Sequence, residues 1–212
     1  GRSRSVGKIR HDENVLSNGK VESVVKKEKE QAIQDSLTSF EKMFKVVPEN
    51  VGFNVELKYP NSMRRLREKL HPMDRNLWLD KVLDVVFRLA GKRSILFSTF
   101  DSNIARMCHR KQAVYPVFFL TAAGMDDHWD NRGASLKHAL RFAKSAELPG
   151  LVSHCEPILE APALIDLVKN NGVVLFTYGA PNNSIENCRM QKFRGVDAVI
   201  VDHVFHISKN LQ

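Results

Sequence analysis

The 212-residue chain is short of cysteine. Cys108, Cys155 and Cys188 are odd in number, far apart and outside any CxxC pair. That excludes a disulfide framework and a cysteine-based structural zinc site. No apolar run approaches the roughly 18 to 20 residues of a transmembrane helix, and no stretch reads as a signal peptide, although the chain begins at Gly1 and not at a methionine. These absences lead us to expect a soluble protein of the reducing cytoplasm. Acidic residues are also under-represented: 32 Lys and Arg face 24 Asp and Glu, a net charge of +8. Such charge permits anionic partners but says nothing of fold. The basic runs, Arg64, Arg65, Arg67 and Lys69 and before them Lys26, Lys27 and Lys29, come with no groove-reading motif. They read as solvated faces, and nucleic acid is not expected as a partner.

A 43% hydrophobic content is enough for a real core. Residues 1–34 are polar, of mixed charge and nearly free of aromatics, as in a mobile arm or long inter-strand loop, so the folded domain is expected over 35–212. In SLTSFEKMFKVV, Leu37, Phe40, Met43 and Phe44 recur at helical spacing, with Ser36 or Asp35 as cap. After a basic linker, NLWLDKVLDVVFRLAGK predicts a helix with Leu77, Val82, Val85, Val86 and Leu89 on its face and Gly91 at its C-terminal cap. Then short apolar segments alternate with helical ones: 94–100, 114–121, 148–157, 173–179 and the closing VDAVIVDHVFHI. With GFNVELKYP at 52–60, that makes six strands. The alternation implies right-handed βαβ units and a parallel sheet covered on both faces.

In GFNVELKYP, Phe53, Val55, Leu57 and Tyr59 point one way and Asn54, Glu56 and Lys58 the other. Under a sheet covered on both faces, Glu56 and Lys58 should not lie in bulk water. Similar polar groups stand at the other strand ends: Ser98, Asp101, Thr121, Ser153, His154, Glu156, Thr177, Tyr178, Asp202 and His203. In a barrel of βαβ units, the C-terminal strand ends are where a site is built.

Taken in order, GFNVELKYP, KRSILFSTFDSNIARMCHRKQAVYPVFFLT, LPGLVSHCEP, VVLFTYGAPNN and RGVDAVIVD resemble the glycerophosphodiester phosphodiesterase family, in particular its glycerophosphocholine-type members from plants and fungi, over about residues 36–208. The resemblance implies an α/β fold of the TIM (β/α)8-barrel type and metal-dependent hydrolysis of glycerophosphodiesters to glycerol 3-phosphate and an alcohol. It implies Glu56 as a ligand of a divalent cation, Mg²⁺ or Ca²⁺, and Lys58 as the phosphate-binding group. A phosphodiester anion needs its developing charge neutralised, which a hard cation and an ammonium both do. The strand alone equally allows a structural Glu–Lys pair.

The departures are as informative. The family's HRG, ENT, E-x-D and HD motifs, which carry both acid/base histidines and two metal carboxylates, are not found before Glu56; His11-Asp12 stands in polar sequence with unmatched neighbours. The chain is therefore expected to supply strands three to eight of the barrel, to be inactive alone, and to self-associate through open sheet edges. The alternative is a non-catalytic phosphate-binding or regulatory protein. No catalytic residue is assigned. Phe100, His154, Glu156 and Tyr178 are candidates to line the substrate, against ordinary packing at the rim. His203 and His206 flank the last strand without a third metal ligand in sequence, while His71, His109, His128 and His138 fall in predicted helices or loops. Cys155 reads as a small buried residue, and Ser184 as the cap of the helix after GAPNNS.

Overall fold

The computed structural model describes residues 37–126 and 129–211. The expected arm, the caps Asp35 and Ser36, His11-Asp12 and His128 lie outside the described residues. Thr38–Gln212 form one compact unit. Its centre is a six-stranded sheet, all parallel and in sequential order: β1 Phe53–Glu56, β2 Ile95–Thr99, β3 Val117–Thr121, β4 Gly150–His154, β5 Val174–Tyr178 and β6 Ala198–Val199. Helices α1 Phe40–Val46, α2 Ser62–Glu68, α3 Arg75–Leu89, α4 Ser102–Lys111, α5 Leu136–Ser145, α6 Glu156–Glu160, α7 Ala163–Lys169, α8 Ile185–Phe193 and α9 Val204–Asn210 precede, link and follow the strands.

Several expected boundaries are corrected. Ser39 caps α1, its Oγ accepting from the Lys42 N–H, so Leu37 lies before the helix and is fully exposed. The basic linker contains α2, capped by Asn61, whose Oδ1 accepts from the Arg64 N–H. In α3 the buried stripe is Leu79, Leu83 and Val86, and Leu77 is exposed. Asp74 Oδ1 accepts from the Asn76 and Leu77 N–H groups, which places the first turn at the solvent edge. Gly91 follows α3 at φ 56, the left-handed position expected beyond the cap. The closing apolar run is a two-residue strand followed by helix α9. Asn183 Oδ1 accepts from the Asp202 and His203 N–H groups and turns the chain between them.

The two faces of the sheet differ. Residues such as Phe97, Val117, Phe119, Leu151 and Leu175 pack against the helices in the main core, which also takes Phe53, Val55, Leu57 and Tyr59 of the first strand segment. The opposite face carries a small cluster of Phe118, Leu120 and Val152 with Leu96, Phe100, Val174, Phe176 and Tyr178 around it. At β1 that face is bare: Asn54, Glu56 and Lys58 are exposed. The expectation that both faces are covered fails here, because β1 is the outermost strand and the apolar cluster stops short of it.

Arg93 fastens this outermost strand. It is 4% exposed, its Nη1 donates to the carbonyls of Pro48 and Val51, its Nη2 donates to that of Val47, and its guanidinium lies 4.2 Å from the Phe53 ring centre. Removing it strands these partly buried carbonyls, and ammonium cannot reproduce the fork. Arg93→Met should lower the unfolding free energy by roughly 2–4 kcal/mol in urea titration, with Arg93→Lys recovering only part; a loss below about 0.5 kcal/mol would contradict this role.

Candidate functional site

Strand alternation sorts the strand-end polar groups into two sets. Thr121, Ser153 and Thr177 sit at matching register and are fully buried, and Thr121 and Thr177 bond towards the helical layer. Thr121 Oγ1 donates to the Gly133 carbonyl, and Thr177 Oγ1 is 2.6 Å from Gln191 Oε1. Their work is structural. Ser98, on the other face, is also engaged, its Oγ donating to Asn54 Oδ1 at 2.8 Å. Asp101 caps α4 through Oδ1, and its Oδ2 lies 3.5 Å from Arg75 Nη2.

What faces away from the helices is shorter: Glu56, Lys58, Phe100, His154 and Tyr178. Lys58 Nζ stands 3.3 Å from Glu56 Oε2, with the lysine side chain 75% exposed. The pair opens onto a depression of about 360 Å³ lined also by Asn61, Arg64, Phe100, Asp101 and Trp129. Arg64, which the sequence presents as one member of a solvated run, is brought there by the cap on Asn61; its Nε holds Glu68 at 3.0 Å. No spacing in the sequence signals Arg64 or Trp129, because a loop and a helix outside the strand pattern carry them.

His154, Tyr178 and Phe100 form a row beside this depression. The Tyr178 ring is 5.1 Å from His154 and 6.1 Å from Phe100, both edge-on, and its hydroxyl donates to the Thr121 carbonyl at 3.5 Å. His154 Nδ1 accepts from the Glu156 N–H at 3.4 Å, and its Nε2 lies where a Cβ on Gly179 would come within 2.9 Å. Gly179 has φ +125, so this turn needs glycine both for the backbone and for the ring beside it. Glu156 touches the row through its backbone as the first residue of α6. Burial pushes the Tyr178 phenol up to about 12, with the charges of Asp126 and Glu56 adding to the effect. Burial likewise raises the thiols of Cys155 and Cys188 and lifts Cys108 to about 12, as unreactive core thiols require. His203 and His206 belong to the start of α9 and are exposed, and Ser184 caps α8 as expected.

The described residues do not make a cation site. Two carboxylates line the depression, and each already faces a cation, Glu56 with Lys58 and Asp101 with Arg75. Among the described residues no three His, Cys, Asp or Glu side chains converge. Nor is any helix among them long and apolar enough to cross a membrane.

Six parallel strands with helical crossovers, and polar side chains gathered at one end, define an α/β protein of the TIM-barrel type. A solved glycerophosphodiester phosphodiesterase from Thermotoga maritima superposes with a TM-score of 0.56 at 18% identity, over 81% of this chain and 63% of that one. The glycerophosphoryl diester phosphodiesterase family matches residues 9–206, and the chain belongs to it. A glycerophosphocholine phosphodiesterase of Eremothecium gossypii is 42% identical over 85% of this chain and 14% of its own length. A glycerophosphodiester phosphodiesterase of Arabidopsis thaliana is 38% identical over 82% of this chain and 46% of its own. The chain thus spans less than half the length of either relative.

The raised Tyr178 pKa gives a signed prediction. The folded state holds the proton more tightly than the unfolded chain, so this contribution to stability is complete below about pH 10 and is lost as pH rises towards 12. In an ultraviolet pH titration of phenolate, Tyr178→Phe should remove the highest-pH step; an unchanged curve would refute the assignment.

Proposed function

We propose that this chain carries the phosphate-holding wall of a glycerophosphodiester phosphodiesterase domain, whose reaction adds water across a phosphodiester to give glycerol 3-phosphate and an alcohol such as choline. The carrying observation is the Glu56–Lys58 pair at the C-terminal end of β1, open to a depression whose rim adds Arg64. A phosphodiester anion entering there meets the Lys58 ammonium, which is free to turn from Glu56 because it is solvated, and with Arg64 neutralises phosphate charge. Phe100 supplies an apolar wall. Tyr178 and His154 shape the floor beside it.

Family membership and the named relatives support the substrate class. Glu56 has the oxygen chemistry of a ligand for Mg²⁺ or Ca²⁺, but the described residues add no further ligands, so no step here runs through a cation. General acid/base work needs groups poised at both the entering and the leaving oxygen. The face that holds Glu56 and Lys58 offers one histidine among the described residues, His154, whose Nδ1 is already engaged. The reading is therefore that this polypeptide by itself binds the phosphate end and does not turn the diester over.

Two measurements check this. Glycerophosphocholine incubated with the chain and either Mg²⁺ or Ca²⁺ should release no choline above the uncatalysed rate; robust turnover that Glu56→Ala abolishes would overturn the reading of a wall without its catalyst. Calorimetric titration with Ca²⁺ should show nothing tighter than the weak, roughly millimolar range, and a micromolar site lost in Glu56→Gln would show that the ligand set is complete after all.

A further inference from the structure

The arginines of this chain are unevenly satisfied. Arg64, Arg67, Arg75, Arg88, Arg132 and Arg194 hold carboxylates, Arg93 and Arg189 hold carbonyls, and Arg65 holds a hydroxyl. Arg106, Arg110 and Arg141 hold no hydrogen-bond or ion-pair partner among the described residues. All three fall on one part of the surface. Arg106 and Arg110 lie on one stripe of α4, a turn apart, and Arg141 on the exposed stripe of α5 that also carries His138.

Two depressions of about 360 Å³ each meet at Arg106. The first is lined by Arg106, Arg132, His138 and Arg141 with Asn131, Phe142 and Ser145, the second by Arg106, Arg110 and Lys111 with Asn103 and Met107. No carboxylate among the described residues lines either one. Two of the lining cations are paired with acids, Arg132 with Asp130 at 2.8 Å and Lys111 with Asp80 at 2.6 Å. The Phe142 ring carries two guanidiniums, Arg106 at 5.6 Å and Arg132 at 5.5 Å, and Arg132 Nη1 also donates to Asn103 Oδ1. The ring contact places both guanidiniums, and Asp130 and Asn103 hold Arg132 in addition, which lowers the ordering cost of binding.

We propose that this α4–α5 surface is a second anion site, separate from the Glu56–Lys58 depression, that takes a small soluble ligand carrying two or more phosphoryl charges. Guanidinium forks match phosphate oxygens in pairs, and a multiply charged anion would relieve the repulsion among Arg106, Arg110 and Arg141, which no carboxylate among the described residues pairs. A small soluble anion is favoured over a lipid surface because the aromatic at the site, Phe142, is only 4% exposed and cannot insert into a bilayer.

The test is calorimetric titration of the chain with inorganic pyrophosphate at an ionic strength of about 0.15 M, with phosphatidate vesicles as a parallel arm. Pyrophosphate should bind, and Arg106→Gln and Arg141→Gln should each weaken it at least about tenfold. Lys58→Gln should leave a pyrophosphate site of unchanged affinity, which separates this site from the proposed phosphodiester wall. Arg141 is exposed, so its variant keeps the fold, as circular dichroism would verify. Three results would overturn the proposal: no binding at millimolar pyrophosphate, binding indifferent to both arginine variants, or binding to vesicles without binding of pyrophosphate.

Discussion

The position of the candidate site depends on how Arg93 holds the outermost strand. β1 is hydrogen-bonded to β2 alone among the described residues, and its away-from-helix face has no apolar cover. A short edge strand of that kind has little to fix it. Arg93 compensates from just before the next strand by collecting the carbonyls of the loop that leads into β1 and packing its guanidinium over the Phe53 ring. Glu56 and Lys58 are three and five residues beyond Phe53. The placement of the Glu56–Lys58 pair thus rests on a buried cation that never touches it.

The same alternation that builds the sheet divides its polar groups by purpose. Odd-numbered Thr121 and Thr177 are consumed in the helical layer and Ser153 Oγ donates to the His154 carbonyl, while even-numbered Glu56, Lys58, His154 and Tyr178 face away from the helices. Gly179 allows the turn after β5 to close against His154, and the Glu156 backbone holds the other side of that ring. The row from His154 through Tyr178 to Phe100 is held by ring contacts, whereas the Lys58 side chain is three-quarters exposed.

Much of the fold is legible in the sequence because parallel strands buried by helices are short apolar runs with turn residues between them. All six strands lie where those runs are. The errors have local causes. The run VDAVIVDHVFHI is apolar enough for a strand, but Asn183 turns the backbone at Asp202 and His203 and the remainder becomes helix. The phase of α3 is misread from Leu77 because a cap, Asp74, outranks periodicity in the first turn. At the site, the alternation in GFNVELKYP correctly separates Glu56 and Lys58 from the core. Their exposure is not legible, since it depends on how far a cluster centred on Phe118 and Val152 extends across the sheet. Arg64 reaches the depression through a helix that the sequence presents as linker, so its proximity to Lys58 is a tertiary fact.

The central claim is that Glu56 and Lys58 form the phosphate-holding end of a phosphodiester site. Its most direct measurement is an amide chemical-shift titration of the chain with glycerol 3-phosphate, comparing the unaltered protein with Lys58→Gln. The account predicts saturable shifts at Leu57, Lys58 and Tyr59 that vanish in the variant. Shifts that persist unchanged in Lys58→Gln, or none along this strand, would contradict it.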